Sequence, residues 1–177
     1  NKYQKDLISA FKKYQELDCI EITTSGATHG FSPLLATDSS LNAQFKVGSE
    51  TTKKLFGRKA RGAWLPECAY RPGYEAVDAK GNKYWRPAIE VAMQNSDIEY
   101  FFTESHVIEG GVSVGNRRVI GVYGNIEYIP LPPRPATGLT TYEAYWLPDA
   151  QVAIMGRNDR AGYQVWSAAD GYPGDGC

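Results

Sequence analysis

Gly62-Ala63-Trp64-Leu65-Pro66-Glu67-Cys68-Ala69-Tyr70-Arg71-Pro72-Gly73 sets an apolar run directly against a proline and an acid. The run 62–65 reads as a short strand, and Pro66 closes it because a ring-locked nitrogen has no hydrogen to give a sheet ladder. The same ring fixes the local backbone, so the Glu67 carboxylate leaves the strand end in one defined direction. Two further segments share this character. Residues 19–24 (Cys-Ile-Glu-Ile-Thr-Thr) are rich in β-branched side chains and halted by Ser25-Gly26, and residues 99–103 (Glu-Tyr-Phe-Phe-Thr) run into Glu104.

Between these strands the apolar spacing changes to three and four residues, which is the helical period. Tyr3, Leu7, Phe11 or Ala10, Tyr14 and Leu17 form one stripe on a helix over 2–17. Leu41, Phe45, Gly48, Thr52 and Leu55 form another over 40–56, with Ser39 or Ser40 as N-cap and Gly57 just past the end. Pro87 suits the first turn of a third helix that continues from 88 to 95. Helix alternating with short apolar strand implies βαβ units and a parallel sheet, hence an α/β fold. In such sheets ligands bind at the carboxyl ends of the strands. Those ends carry Thr28-His29-Gly30, Glu67-Cys68 and Glu104-Ser105-His106, all polar or ionisable.

From about 107 to 146 the helical period disappears. Gly110, Gly111, Gly121 and Gly124 punctuate the β-branched runs 112–114, 118–120 and 126–129, and Pro130, Pro132, Pro133 and Pro135 then forbid regular structure. This β-rich excursion is expected to lie over the carboxyl-end face, as binding loops do in barrels, or to serve as a linker. Strand character returns at 142–146 and 152–155, and a polar turn follows at Arg157-Asn158-Asp159.

The 177 residues have 42% apolar and 22% charged side chains, which excludes a disordered or collagen-like chain. Nineteen basic against 20 acidic side chains leave a net charge of −1, so no overall field is available to draw in nucleic acid or an anionic membrane, and neither partner is expected. No apolar stretch approaches the roughly 18 residues of a membrane span. Cys19, Cys68 and Cys177 are odd in number and widely spaced, so a reducing cytoplasm is expected rather than a disulfide framework, with Cys19 counted as core. His29 and His106 stand far apart without Cys-x-x-Cys or His-x-x-x-His pairs, and no metal site is expected.

A neutral, hydroxyl-rich ligand fits this balance. Glycosidic cleavage with retention needs a carboxylate nucleophile and a second carboxylic acid roughly 5 to 5.5 Å away. Glu67 suits either role, and the bland alternative is a pair between Glu67 and Arg71 or a loop cap. Glu104 and Asp159 follow expected strands and are the candidates within the chain for the second carboxyl.

Four blocks together carry a resemblance: 24–31 (Thr-Ser-Gly-Ala-Thr-His-Gly-Phe), 62–73 with its Trp-Leu-Pro-Glu-Cys centre, 102–106 (Phe-Thr-Glu-Ser-His), and Gln164-Val165-Trp166-Ser167 followed by Gly171-Tyr172-Pro173-Gly174-Asp175. In this order they resemble glycoside hydrolase family 57, and within it most of all the α-1,4-glucan branching enzymes. The resemblance implies an incomplete seven-stranded β/α barrel, a retaining double displacement on α-glucans such as glycogen, amylose or starch-like chains, and no cofactor. It implies Glu67 as nucleophile, His29 lining the subsite of the transferred sugar, and Trp166 packing on sugar rings. Glu104 and His106 are expected to orient substrate or support Glu67, with Tyr123, Tyr142 and Tyr145 as further platforms; Trp64 is assigned to packing. The family's opening His-x-Pro segment and the aspartate of its general acid/base motif are missing. The chain is therefore expected to be the central section of a catalytic domain, 1–177 as one piece, its acid/base beyond Cys177. Amylase or 4-α-glucanotransferase chemistry, or a catalytically incomplete carbohydrate-binding fragment, are the alternatives.

Overall fold

The computed structural model describes residues 3, 5–110, 117–120, 126–129, 136–158, 161, 162 and 165, without side chains for 117–120 and 126–129. Its elements run α1 (Leu7–Glu16), β1 (Thr24–Ser25), α2 (Asp38–Phe56), β2 (Gly62–Trp64), β3 (Tyr74–Val77), β4 (Lys83–Arg86), α3 (Ile89–Gln94), β5 (Tyr100–Thr103), α4 (Ser105–Glu109), β6 (Arg117–Ile120), β7 (Ile126–Ile129), β8 (Ala144–Trp146) and β9 (Ala153–Gly156). One five-stranded sheet has the order β1-β2-β5-β9-β8. Its first four strands are parallel, with Ala63 level with Thr24 and Phe101 and the latter level with Ile154. The expected parallel α/β sheet is therefore present, and it is open rather than closed into a barrel. The exception is β8, which pairs antiparallel with β9 and so differs from the uniformly parallel expectation. The short turn 147–152 is too brief for a crossover and can only fold the chain back as a hairpin.

The core lies between the sheet and the helices. Ala63, Leu65, Phe101, Val152 and Ile154 from the strands and their ends meet Leu41 and Phe45 of α2, Ile89 and Met93 of α3, and Ile108 of α4. Each large side chain buried there is worth about 1.5–3 kcal/mol of transfer free energy. Helix α2 starts on Thr37, whose hydroxyl accepts from the Ser40 N–H at 3.1 Å, so the cap is Thr37 and not Ser39 or Ser40. It ends at Gly57 in the left-handed conformation (φ 81°), as the glycine signalled. Leu55 leaves the expected stripe and is exposed, while Ser49 joins the buried face. Gly48 is required by contact: a Cβ there would stand 2.1 Å from the Ser25 carbonyl oxygen, so only glycine lets α2 lie this close to β1.

Several expectations at the start of the chain are corrected. The first helix spans Leu7–Glu16, capped by Asp6, rather than 2–17. Its apolar stripe is not buried: Leu7, Phe11 and Leu17 are exposed, and the buried position is Gln15, whose amide donates to the Phe56 carbonyl at 3.2 Å. The helix thus leans on the end of α2 by its polar edge. The strand over 19–24 shrinks to Thr24–Ser25, because pairing with β2 starts only at the Thr24–Ala63 level. Cys19 therefore lies outside the sheet and is exposed, not core.

The hairpin β3–β4, paired from Tyr74–Arg86 to Val77–Lys83, was not foreseen. Its turn is built by Asp78, whose carboxylate accepts from the backbone N–H of Lys80 (2.8 Å) and Asn82 (2.9 Å), with Gly81 at φ 84°. Arg86 anchors it to α2: Nε donates to Asp38 at 2.9 Å and Nη1 to the Tyr74 hydroxyl at 3.2 Å. The third helix starts after Pro87, on Ala88, and ends at Gln94. Within 107–146, α4 extends to Glu109, and β6 and β7 form an antiparallel pair. Among the described residues no helix is long and apolar enough to cross a membrane.

Candidate active site

Because β1, β2, β5 and β9 run parallel, their carboxyl ends lie side by side. The loop 26–29 follows β1 and is held by one residue of α2. Gln44 accepts the Ala27 N–H on its carbonyl (3.0 Å) and the Thr28 N–H on its side-chain oxygen (2.8 Å), while its amide donates to the Thr28 hydroxyl at 2.9 Å. Gln44 belongs to no sequence motif; a glutamine beside the buried Phe45 on the inner face of an amphipathic helix is the signal that marks it. The loop ends at His29, whose N–H donates to the Gly26 carbonyl at 2.9 Å and whose φ is 54°.

The segment after β2 makes a single tight turn, Pro66–Cys68, with the Cys68 N–H on the Leu65 carbonyl at 2.7 Å. Pro66 and Cys68 are buried, and between them Glu67 takes φ 54°, ψ 22°. Left-handed backbone at a side chain with a Cβ costs about 1–2 kcal/mol, and Cys68 repeats it at φ 50°. The turn thereby throws the Glu67 side chain outward, 66% exposed, to face His29: Nε2 to Oε1 is 3.5 Å, with the imidazole 52% exposed. The expected bland partner is absent, since Arg71 donates instead to the carbonyls of Pro72 (3.0 Å) and Pro87 (3.1 Å). A contact this exposed stabilises the fold by at most about 1 kcal/mol, less than the strain of the turn that presents it. Burial pushes the Cys68 thiol up, so it packs beneath the turn rather than offering a second nucleophile.

Glu104 follows β5. Its N–H donates to the Cys68 carbonyl at 3.3 Å, and the Thr103 hydroxyl donates to the same oxygen at 3.0 Å, so the ends of β2 and β5 are tied together. The Glu104 carboxylate accepts from Arg157 Nη1 at 2.5 Å, and the Arg157 N–H returns to the Thr103 carbonyl at 2.8 Å. Arg157 also lies over the Trp64 ring, 6.0 Å from its centre, and Trp64 packs on Phe102, as the packing assignment expected.

Glu67, Glu104 and His106 line one open cavity of about 620 Å³, whose other walls include Phe31, Pro33, Tyr70 and Pro72. The structure thus brings together four of the sequence candidates: His29 and Glu67 in contact, Glu104 and His106 on the same cavity. Trp166, Tyr123 and Asp159 lie outside the described residues, as do Gln164 and the 171–175 block. Tyr145 is partly buried against the core with its hydroxyl on the Thr140 carbonyl at 3.1 Å, whereas Tyr142 is exposed. A second cavity of about 370 Å³ sits at the amino ends, and its cations Arg58, Lys59 and Arg61 pair with Asp18, Asp97 and Glu99. Among the described residues no group of three or more His, Cys, Asp or Glu side chains is placed to hold a metal ion.

The parallel α/β sheet thus gathers an exposed carboxylate, a histidine and a second carboxylate on its carboxyl-end loops beside an open cleft, the face on which β/α folds place their ligands. The chain belongs to glycosyl hydrolase family 57, whose family model matches residues 1–165. It is 40% identical over 170 residues to a 1,4-alpha-glucan branching enzyme of Thermococcus kodakarensis, covering 96% of this chain and 23% of the relative. The crystal structure of that enzyme, solved with glucose and additives, superposes with a TM-score of 0.72 at 38% identity over 96% of this chain and 29% of the other. A branching enzyme of the same family from Pyrococcus horikoshii gives a TM-score of 0.70 at 36% identity, over 98% and 28%. The alpha-amylase AmyC of Thermotoga maritima gives 0.63 at 30% identity, over 98% and 26%. The chain therefore spans about a quarter of the length of the relatives it matches.

Proposed function

We propose that the protein to which this chain belongs is an α-1,4-glucan branching enzyme, with Glu67 as its nucleophile. The observation that carries the reading is the Glu67 turn: a strained backbone that aims an exposed carboxylate across the strand ends at His29, in a chain 40% identical to a branching enzyme. In this reaction a Glu67 oxygen attacks the anomeric carbon as the C1–O4 bond breaks, and the departing oxygen takes a proton from a general acid. The result is a glucan ester on Glu67. The 6-hydroxyl of an acceptor chain then attacks the same carbon, gives its proton to the conjugate base, and frees the carboxylate. Two inversions restore the α configuration.

Glu104 is occupied by Arg157, which favours a positioning role over proton donation; the acid/base is assigned to a residue beyond Cys177. His29 and His106 receive sugar hydroxyls, and Trp166 and Tyr123 supply ring-stacking faces. The 107–146 excursion shields the ester from water, which branching demands. The substrates are glycogen-, amylose- or starch-like chains, in a cytoplasmic enzyme of glycogen synthesis, with no cofactor. The likeness to an amylase supports the second reading, hydrolysis. Incubating the full-length enzyme with amylose separates the two. Branching creates α-1,6 linkages at a constant number of reducing ends, and a rise in reducing ends without new linkages overturns it in favour of hydrolysis.

A further inference from the structure

The hydroxyl of Ser25, the last residue of β1, lies 2.9 Å from the Trp64 carbonyl oxygen and 3.3 Å from His29 Nδ1. A serine has one hydroxyl hydrogen. Two oxygens 2.9 Å apart repel unless a hydrogen stands between them, and a carbonyl has none to give. The Ser25 hydrogen is therefore committed to Trp64. The hydrogen of the Ser25–His29 contact must then come from the ring: Nδ1 donates, and Ser25 accepts on a lone pair. In the neutral ring this leaves Nε2 without a hydrogen. Nε2 is the atom that faces Glu67 Oε1, and their 3.5 Å separation is longer than an N–H···O bond.

We propose that Ser25 is a positioning residue that holds neutral His29 as its Nδ1–H tautomer, so that the neutral ring cannot donate a hydrogen bond to Glu67. The ring in the opposite tautomer would place an N–H against Oε1, draw charge from that oxygen and lower its nucleophilicity. With Nε2 bare, imidazole and carboxylate are neighbouring acceptors, a pair that suits a ligand bearing hydroxyl donors and leaves the attacking oxygen uncommitted. The hydrogen that sets this arrangement ends on a backbone carbonyl of β2, so the tautomer is fixed by the β1–β2 pairing itself. Its consequence for catalysis rests on the glucan-transfer reading; the protonation of the ring does not.

The chain has only two histidines, so long-range proton–nitrogen NMR of the 177 residues resolves His29 once His106→Gln assigns the other. In spectra taken with the ring neutral, the protonated nitrogen of His29 is expected to be Nδ1. A main Nε2–H form overturns the proposal whatever the variants do. Ser25→Ala is expected to move the ring toward Nε2–H, and Ser25→Thr, which keeps the hydroxyl, to leave it unchanged; an alanine variant still held as Nδ1–H overturns the role of Ser25. Where the alanine variant does not fold, the wild-type and threonine spectra decide. In the full-length enzyme Ser25→Ala is expected to lower kcat about tenfold with less effect on KM, and Ser25→Thr to stay within about threefold, the range of one hydrogen bond. An unchanged kcat in the alanine variant overturns the catalytic consequence. Activity surviving Glu67→Gln would instead sink the glucan-transfer reading and leave the tautomer result intact.

Discussion

His29 and Glu67 face each other from the ends of adjacent parallel strands, Nε2 to Oε1 at 3.5 Å, and both hold left-handed backbone at φ 54°. Two non-glycine residues in that conformation, meeting at an exposed contact, place strain where the packing gains little from it. Strain of this kind persists when the surrounding structure over-determines it, and here Gln44 holds one loop and the buried Pro66 and Cys68 hold the other.

Glu67→Gly is accordingly expected to stabilise the chain by about 1 kcal/mol, since glycine takes left-handed backbone without the Cβ penalty. Denaturant midpoints of the wild type and the variant check this. A variant less stable than the wild type would mean that the turn carries no strain.

Gly48→Ala reverses the ordinary preference of a helix interior, where alanine is better than glycine by about 1 kcal/mol. Here the added methyl meets the Ser25 carbonyl. The variant is expected to lose about 1–3 kcal/mol by overpacking, and the His29 ring signals are expected to shift, because Ser25 carries them. Thermal or chemical unfolding with NMR of the two histidines reads both effects.

The pair Glu104–Arg157 ties the ends of β5 and β9, with side chains 31% and 20% exposed. Glu104→Ala or Arg157→Ala alone is expected to cost about 1–3 kcal/mol, because each removes one member of a largely buried charge pair. The double variant is expected to cost less than the sum. A double-mutant cycle with no coupling would remove Arg157 as the anchor of Glu104.

Glu90 is 1% exposed in α3, takes the Tyr70 hydroxyl on Oε1 at 3.2 Å, and leaves Oε2 buried without a partner. Burial raises its carboxyl above the ordinary 4.5. The folded chain then holds this proton more tightly than the unfolded chain, so stability is full below the unfolded value and declines as pH rises toward the folded one. Glu90→Gln removes the titration. Its stability relative to the wild type is expected to rise as pH climbs above about 4.5, read from denaturant midpoints in a pH series. A difference that does not change with pH would contradict the buried, proton-favouring carboxyl.

The residues that spoke clearly in the sequence were those whose local chemistry and tertiary place agree. Gly57 caps α2, the apolar runs at 62 and 100 form the central parallel strands, and the Pro-Glu step delivers Glu67 to the carboxyl end. Where they disagree, pattern misled. The stripe of α1 has the right period yet faces outward, because periodicity reports which side chains share a face and not what that face meets. The run 19–24 has strand propensity, but only its last residue finds a partner. The β3–β4 hairpin is signalled only by Asp78 and Gly81-Asn82 between two aromatic-containing runs, without the alternation that marks a half-buried strand. The facing of His29 and Glu67 was not legible at all. It depends on strand register and on two left-handed residues that no spacing rule marks.

The central claim is that Glu67 becomes covalently bonded to sugar. Trapping the full-length enzyme with a fluorine-substituted α-glucosyl fluoride, which slows hydrolysis of the ester, and sequencing the labelled peptide by mass spectrometry tests it directly. The account predicts one added sugar on Glu67 and none in Glu67→Gln. A sugar carried by any other carboxylate, or turnover with no trapped ester at all, would contradict it.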